Sequence, residues 1–323
     1  EWSVLWCSRV VLLHLGKIVI MKKDPRFQPV DAATTPRFAG IATFMRTQRH
    51  DVSPDLDIAL VGVPFDLGVN YRSGSRQGPA AVREASRLIR RVHNVSGIAP
   101  YDICNVADVG DAPVNPIDLL RSIDMIEDFF AKIHAAGALP LTIGGDHTVP
   151  LPILRAVAKH RPVGIFHIDS HADTLDTLAD TKINHATTFR RGVEEGLIDP
   201  KRTIQIGLRG SMYDLDDFEW GEKMGIRMVR IEEVMEKGHK AIMAEARKIV
   251  GDGPTYVSFD IDCLDPAYAP GTGTPEIGGF TTFQAQQMLR ELRGLHIIGA
   301  DVVEVSPPFD PAGITAHAGV TMM

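Results

Sequence analysis

Short apolar runs alternate with amphipathic stretches along nearly the whole chain. The runs at 57–64, 104–109, 139–143, 163–169, 203–208, 226–230, 255–262 and 295–305 are rich in Val, Ile, Leu and Phe, which predicts buried strands. Between them, apolar residues spaced by three and four predict helices at 80–92, 119–136, 150–159, 187–196, 212–223, 231–250 and 281–293. Pro79 suits the first turn of the first of these. Strand–helix alternation of this kind predicts stacked βαβ units: an α/β fold with a mostly parallel sheet and helices on both faces. Two stretches break the pattern. Residues 24–56 carry Pro, Thr and Arg without a period and read as an arm over the main body, and 263–280 is a loop rich in Gly and Pro. No linker, repeat or low-complexity segment divides the body.

In open parallel sheets, sites form beyond the carboxyl ends of the strands. The acids and histidines of this chain gather at such ends. Asp169, His171 and Asp173 follow the run at 163–168 at every second position, so an extended backbone turns them to one side. Asp260 and Asp262 repeat the spacing, and His147 closes the GGDH stretch after the run at 139–143. Unpaired charges are costly to bury. Four carboxylates and two imidazoles, with no Cys among them, balance two divalent cations. This donor set suits Mn²⁺ best, with Ni²⁺, Co²⁺ or Fe²⁺ as alternatives. Two such ions about 3.5–4 Å apart share a water and lower its pKa from about 15.7 towards neutrality. The hydroxide is then able to attack a poor electrophile such as a guanidinium carbon. His185, after the loop at 174–184, is the candidate to protonate the departing amine; as a lone loop histidine its bland alternative is simple solvation. Glu304 ends the last strand and is the candidate carboxylate for a guanidinium, held by paired hydrogen bonds. Asp301, three residues earlier, faces the other side of an extended strand.

The net charge of −7 gives no broad attraction for nucleic acid or an anionic membrane, and mildly favours a cationic substrate. Three widely spaced cysteines without a CxxC point to a reducing compartment, and a cytoplasmic protein is expected. The apolar run near the start is broken by His14 and Lys17, too interrupted to span a bilayer or to read as a secretory signal. Residues 1–20 are expected to be an upstream extension, with Met21 near the true start. The last residues, 317–323, read as the opening of a helix cut short. Arg83, Arg87, Arg90 and Arg91 read as a solvated helix face, with phosphate binding as the sharper alternative.

From about Phe38 to the end, the assembled segments resemble the ureohydrolase family of arginase, agmatinase, guanidinobutyrase and relatives. The resemblance rests on GGDH at 144–147, DSHAD at 169–173, SFDIDCLDP at 258–266 and GTGTPE at 271–276, in this order and spacing. RSGSRQGP at 72–79 and VEVSPPFD at 303–310 place it nearest the agmatinase-like branch. It implies a three-layer α/β/α sandwich around a mostly parallel eight-stranded sheet, with 1–37 as extension and arm and 38–323 as one domain. It implies two Mn²⁺ ions, one on His147 and Asp173, the other on His171 and Asp262, bridged by Asp169 and Asp260. His185 matches the family's proton shuttle and Glu304 its guanidinium-binding residue. A small guanidino substrate and a homo-oligomer, trimer or hexamer, are implied as well. Two departures stand out. Ala186 replaces a Gly after the shuttle, and the residues that hold the amino-acid end of arginine are missing around Lys182 and Arg209–Gly210. L-arginine is therefore disfavoured. The expected reaction is agmatine to putrescine and urea. Guanidinobutyrate and guanidinopropionate come next, with Lys182 as the cation for their carboxylate, and hydrolysis of a formimino compound after them. A catalytically weak metal-binding subunit that pairs with an active homologue is the alternative of another class, motivated by Ala186 and by the shortened last helix.

Overall fold

The computed structural model describes residues 24–214 and 217–323, and before them only the backbone pairing of Leu13–His14 with Lys17–Ile18. The expectations for residues 1–20 and Met21 otherwise lie outside the described residues. Eight strands form the main sheet: β1 Ile58–Gly62, β2 Val106–Asp111, β3 Leu139–Ile143, β4 Val163–Ile168, β5 Ile198–Leu208, β6 Arg227–Arg230, β7 Thr255–Asp260 and β8 Ile297–Val303. Their order is β2-β1-β3-β8-β7-β4-β5-β6, and every pairing is parallel. A parallel sheet is covered on both faces, which is why its strands read as near-continuous apolar runs; all six residues of β4 are buried.

Among the described residues the ten α-helices are α1 Gly78–Ala85, α2 Pro100–Ile103, α3 Leu119–Ala135, α4 Pro150–Val157, α5 Thr188–Glu194, α6 Glu219–Met224, α7 Ile231–Lys237, α8 His239–Val250, α9 Thr282–Arg290 and α10 Ile314–Met322. Helices α3, α4 and α5 cover one face through residues such as Ile126, Phe130, Ile153 and Phe189. Helices α1, α7, α8, α9 and α10 cover the other through Val82, Val234, Ile242, Met288 and Val320. The three-layer sandwich is thus realised.

Several elements differ from the sequence reading. The stretch at 231–250 is two helices, broken at Gly238, whose φ of 78° and ψ of 144° no helix accepts. The first α-helix ends at Ala85 and tightens into a 3₁₀ turn over Ser86–Leu88, where the buried Ser86 hydroxyl bonds to the carbonyls of Arg83 and Thr43. The stretch at 212–223 is helical only from Glu219. The arginines at 83 and 87 are not a solvated face: their side chains are 12% and 13% exposed and grip neighbouring chain.

Candidate metal centre

The four central neighbours in the sheet are β3, β8, β7 and β4. Their carboxyl ends carry His147, Glu304, Asp260 with Asp262, and Asp169 with His171 and Asp173. The site is therefore assembled by strand order, from residues far apart in the chain.

The extended geometry that the alternation assumed does not continue past the strands. β4 stops at Ile168, and Asp173 sits at a φ of 52°. β7 stops at Asp260, and a 3₁₀ turn over Ile261–Cys263 follows, in which the Asp262 N–H donates to Asp260 Oδ1 at 2.7 Å. The ligand candidates still converge. His147 Nδ1 lies 3.0 Å from Asp169 Oδ2, 3.0 Å from Asp173 Oδ2 and 3.1 Å from Asp260 Oδ2. His171 Nδ1 lies 3.1 Å from Asp262 Oδ2 and 3.5 Å from Asp169 Oδ1. Asp169 thus turns one oxygen to each imidazole, as a carboxylate between two cations would.

The donor set fits metal ions. His147 Nδ1 is buried beside three carboxylate oxygens, yet forms no hydrogen bond of acceptable geometry with any of them. A cation seated among those oxygens would give it a partner. Burial, with the charges of Asp262 and Asp169 added, pushes Asp260 far above the usual carboxylate range. Burial also disfavours ionised Asp169, but the neighbouring His167, His147 and His171 outweigh it and hold that carboxyl well below its usual range. Such a crowd of buried acids calls for positive charge.

Supporting residues fix the ligands. Ser258 Oγ lies 2.9 Å from His147 Nε2 and donates to Asp301 Oδ1 at 2.8 Å, and the Tyr256 hydroxyl donates to Asp301 Oδ2 at 2.6 Å. His167 lies close enough to Asp169 and His147 to suggest a third imidazole ligand. Both its nitrogens are already used: Gln205 Nε2 donates to Nδ1 at 3.0 Å, which leaves Nε2–H to donate to Asp169 Oδ2 at 2.8 Å. His167 therefore orients Asp169. Ser170 Oγ donates to Asp262 Oδ1 at 2.6 Å. None of Ser258, His167 and Tyr256 is singled out by the sequence, where each is one residue of a buried strand; Asp301 is legible only as a carboxylate on the far side from Glu304.

His185 and Glu304 face each other across the same cavity of about 460 Å³, His185 Nδ1 lying 3.4 Å from Glu304 Oε1. Glu304 also accepts the His147 main-chain N–H at 2.9 Å. It stands at a φ of 63°, a conformation that strains a non-glycine residue by about 1–3 kcal/mol. Its own main-chain N–H donates to Gly145 O at 2.8 Å. Gly145 itself is irreplaceable there, since a Cβ would lie 1.5 Å from the Phe65 carbonyl oxygen.

The position after the shuttle candidate has an ordinary backbone. Ala186 is not among the residues of positive φ, and its N–H donates to Asn184 Oδ1 within a capping box. Glycine's conformational freedom is not required there, so no backbone strain at Ala186 speaks for a catalytically weak subunit. Lys182 is exposed and does not line the cavity. The cations that do are Arg72 and Arg209. Arg209 spends its guanidinium on the carbonyls of Gly207, Asp262, Cys263, Leu264 and Glu276. Arg72 lies over the Phe309 ring, 3.9 Å from its centroid, and among the described residues no carboxylate pairs with it.

Residues 56–323 match the arginase family. The chain is 59% identical to guanidinopropionase of Pseudomonas aeruginosa, over 92% of this chain and 93% of that one. It is 51% identical to guanidinobutyrase of the same organism, over 92% and 94%, and 47% identical to mitochondrial agmatinase of Gallus gallus, over 97% and 92%. Among solved structures, proclavaminate amidino hydrolase from Streptomyces clavuligerus superimposes with a TM-score of 0.86 at 39% identity, over 89% of this chain and 96% of that one.

Proposed function

The chain belongs to the arginase family, and from that premise we propose that it hydrolyses a guanidino acid, guanidinopropionate or guanidinobutyrate, to urea and the matching amino acid. The observation that carries the hydrolase reading is Asp169, with one oxygen towards His147 and the other towards His171. Agmatine, the first expectation from the sequence, moves to second place. Identity is higher to the two relatives named for guanidino acids than to the agmatinase. A guanidino acid also brings a carboxylate, and Arg72 supports it as a cavity cation with no acidic partner among the described residues, where the sequence had suggested Lys182.

Two divalent cations, Mn²⁺ first and Ni²⁺ or Co²⁺ as alternatives, would be held by His147 and Asp173, by His171 and Asp262, and by Asp169 and Asp260 between them. Bound there, they supply an activated water at neutral pH. Glu304 takes the guanidinium N–H groups and sets the plane of the substrate. His185, beside Glu304, gives its proton to the departing amine, which would otherwise leave as an unstable anion. A homo-oligomer, trimer or hexamer, is part of the same reading. No described helix is long and apolar enough to cross a membrane.

Urea release from a panel of guanidinopropionate, guanidinobutyrate, agmatine and L-arginine, with Mn²⁺ supplied, tests the proposal. The two guanidino acids are expected to give the highest kcat/KM, and Asp169→Asn to lose bound metal and urea formation together. Preference for agmatine would overturn the substrate, and no urea from any of the four would overturn the reaction.

A further inference from the structure

Two hydrogen bonds join three loops at the mouth of the cavity. The Asn70 carboxamide oxygen lies 3.0 Å from His185 Nε2, and its Nδ2 donates to the Tyr213 hydroxyl at 3.2 Å. Asn70 comes from the loop after β1, His185 from the turn before α5, and Tyr213 from the loop after β5. The loop bearing Asn70 is itself fixed: Gly68 O accepts the His185 main-chain N–H at 3.2 Å, and the Gly68 N–H donates to Asp146 Oδ2 at 2.8 Å.

His185 thus has a carboxylate against Nδ1 and a carboxamide oxygen against Nε2. Both partners present oxygens: Nε2–H can donate to Asn70, and the Glu304 carboxylate at ion-pair distance from Nδ1 favours the protonated ring. Asn70 is the neutral half of the pair. Its oxygen accepts Nε2–H without adding a charge that would compete with Glu304 for the guanidinium. The bond to Tyr213 steadies the carboxamide, whose NH₂ end donates to the hydroxyl while its oxygen faces Nε2.

We propose that Asn70 is a positioning residue for the proton donor, holding the His185 ring and its Nε2–H from the cavity side, with Tyr213 holding Asn70 in turn. The proton then leaves from Nδ1, on the Glu304 side where the guanidinium sits. The C–N bond to the departing amine breaks, the amine gains that proton, and the ring is left as the neutral Nε2–H tautomer on Asn70. This inference rests on the amidinohydrolase reading. The ionisable groups that face His185 are Glu304 at the end of β8, Asp173 after β4 and Asp146 after β3.

Rate profiles against pH, with urea as readout and guanidinopropionate as substrate, test it on the Mn²⁺-loaded protein. Asn70→Leu is expected to lower kcat by about tenfold or more, to leave KM within about threefold, and to move the alkaline limb of the profile to lower pH. Asn70→Asp keeps an acceptor for Nε2–H, so it is expected to recover much of kcat and to move the limb to higher pH. Tyr213→Phe should lower kcat in the same direction by a smaller factor. Asn70 is exposed, so metal content and melting temperature should match the parent. Asn70→Leu with the parent's kcat and limb would overturn the proposal, as would equal impairment of the Leu and Asp variants with an unmoved limb. A parent that makes no urea from any guanidino compound fails the underlying reading instead, and that is established before any variant is compared.

Discussion

Burial alone would drive the His185 ring towards its neutral form, yet the hydrogen bond and charge of Glu304, with Asp173 and Asp146 behind, outweigh it and hold His185 up at about 9. An ordinary histidine titrates near about 6.5. In metal-free protein, the stability this pair contributes is therefore fully present below about 6.5, and is lost as pH rises through about 9. Glu304→Gln removes the leading opposing influence and leaves burial, so the His185 ring should titrate well below about 9, and the extra stability below neutrality should shrink. Proton or ¹⁵N NMR of the chelated protein follows the ring directly. An unmoved titration would show that Glu304 does not hold this proton. His185 and Glu304 could be named as candidates from the sequence, Glu304 because it follows the last strand and His185 because it follows the loop after the metal-ligand spacing. Asn70 could not be: it is a single polar residue in a surface loop, and its partner lies 115 positions away. Ser258 was hidden for the same reason, 111 positions from His147 in the middle of a buried strand.

Strand order could be read only as far as alternation goes. The eight apolar runs specify a covered parallel sheet, but nothing in a run says which neighbours it takes. The placing of β8 between β3 and β7 brings Glu304 to the candidate metal centre, and it emerges only from the folded chain. Parity along a strand predicted that Asp169, His171 and Asp173 face one way. They do meet, through a backbone that has left the extended region by Asp173. The turn before α5 carries a similar lesson. A glycine-to-alanine departure at 186 suggests a damaged shuttle, whereas the turn His185–Thr187 is set by the Asn184 and Thr187 side chains bonding reciprocally to backbone N–H groups. Ala186→Gly is therefore expected to change kcat by no more than about threefold and to lower stability slightly, by about 0.5–1 kcal/mol, through the added freedom of the unfolded chain. Urea assays and denaturant unfolding check both. A gain in kcat of more than about tenfold would restore the idea of a catalytically weak subunit.

Across the whole molecule, helix α1 fastens the arm to the sheet. Arg83 donates through Nε and Nη2 to Asp108 at 2.8 and 3.1 Å and through Nη1 to Asp111 at 2.6 Å, both acids lying on β2. Its guanidinium lies over the Phe44 ring, 4.2 Å from the centroid, and Asp108 Oδ2 also accepts the Phe44 N–H at 3.0 Å. Arg87, one turn on, donates to the carbonyls of Arg37, Ala39 and Gly40. The arm has no periodic pattern of its own because the body holds it by main-chain groups and by isolated buried side chains such as Phe27 and Phe44, not by a continuous apolar face. Arg83→Leu leaves the Asp108 carboxylate, with 1% of its side chain exposed, without its cation. Removing one partner from a buried ion pair typically costs about 3–5 kcal/mol, against far less for a surface pair. Denaturant unfolding should register a loss in that range, and limited proteolysis should cut first within 37–47, where Phe44 loses its cover. Arg83→Leu combined with Asp108→Asn removes the stranded charge and should recover part of the loss. If the single variant unfolds like the parent, or if cleavage begins elsewhere, the arm is held by its apolar contacts and the clamp is only a surface pair.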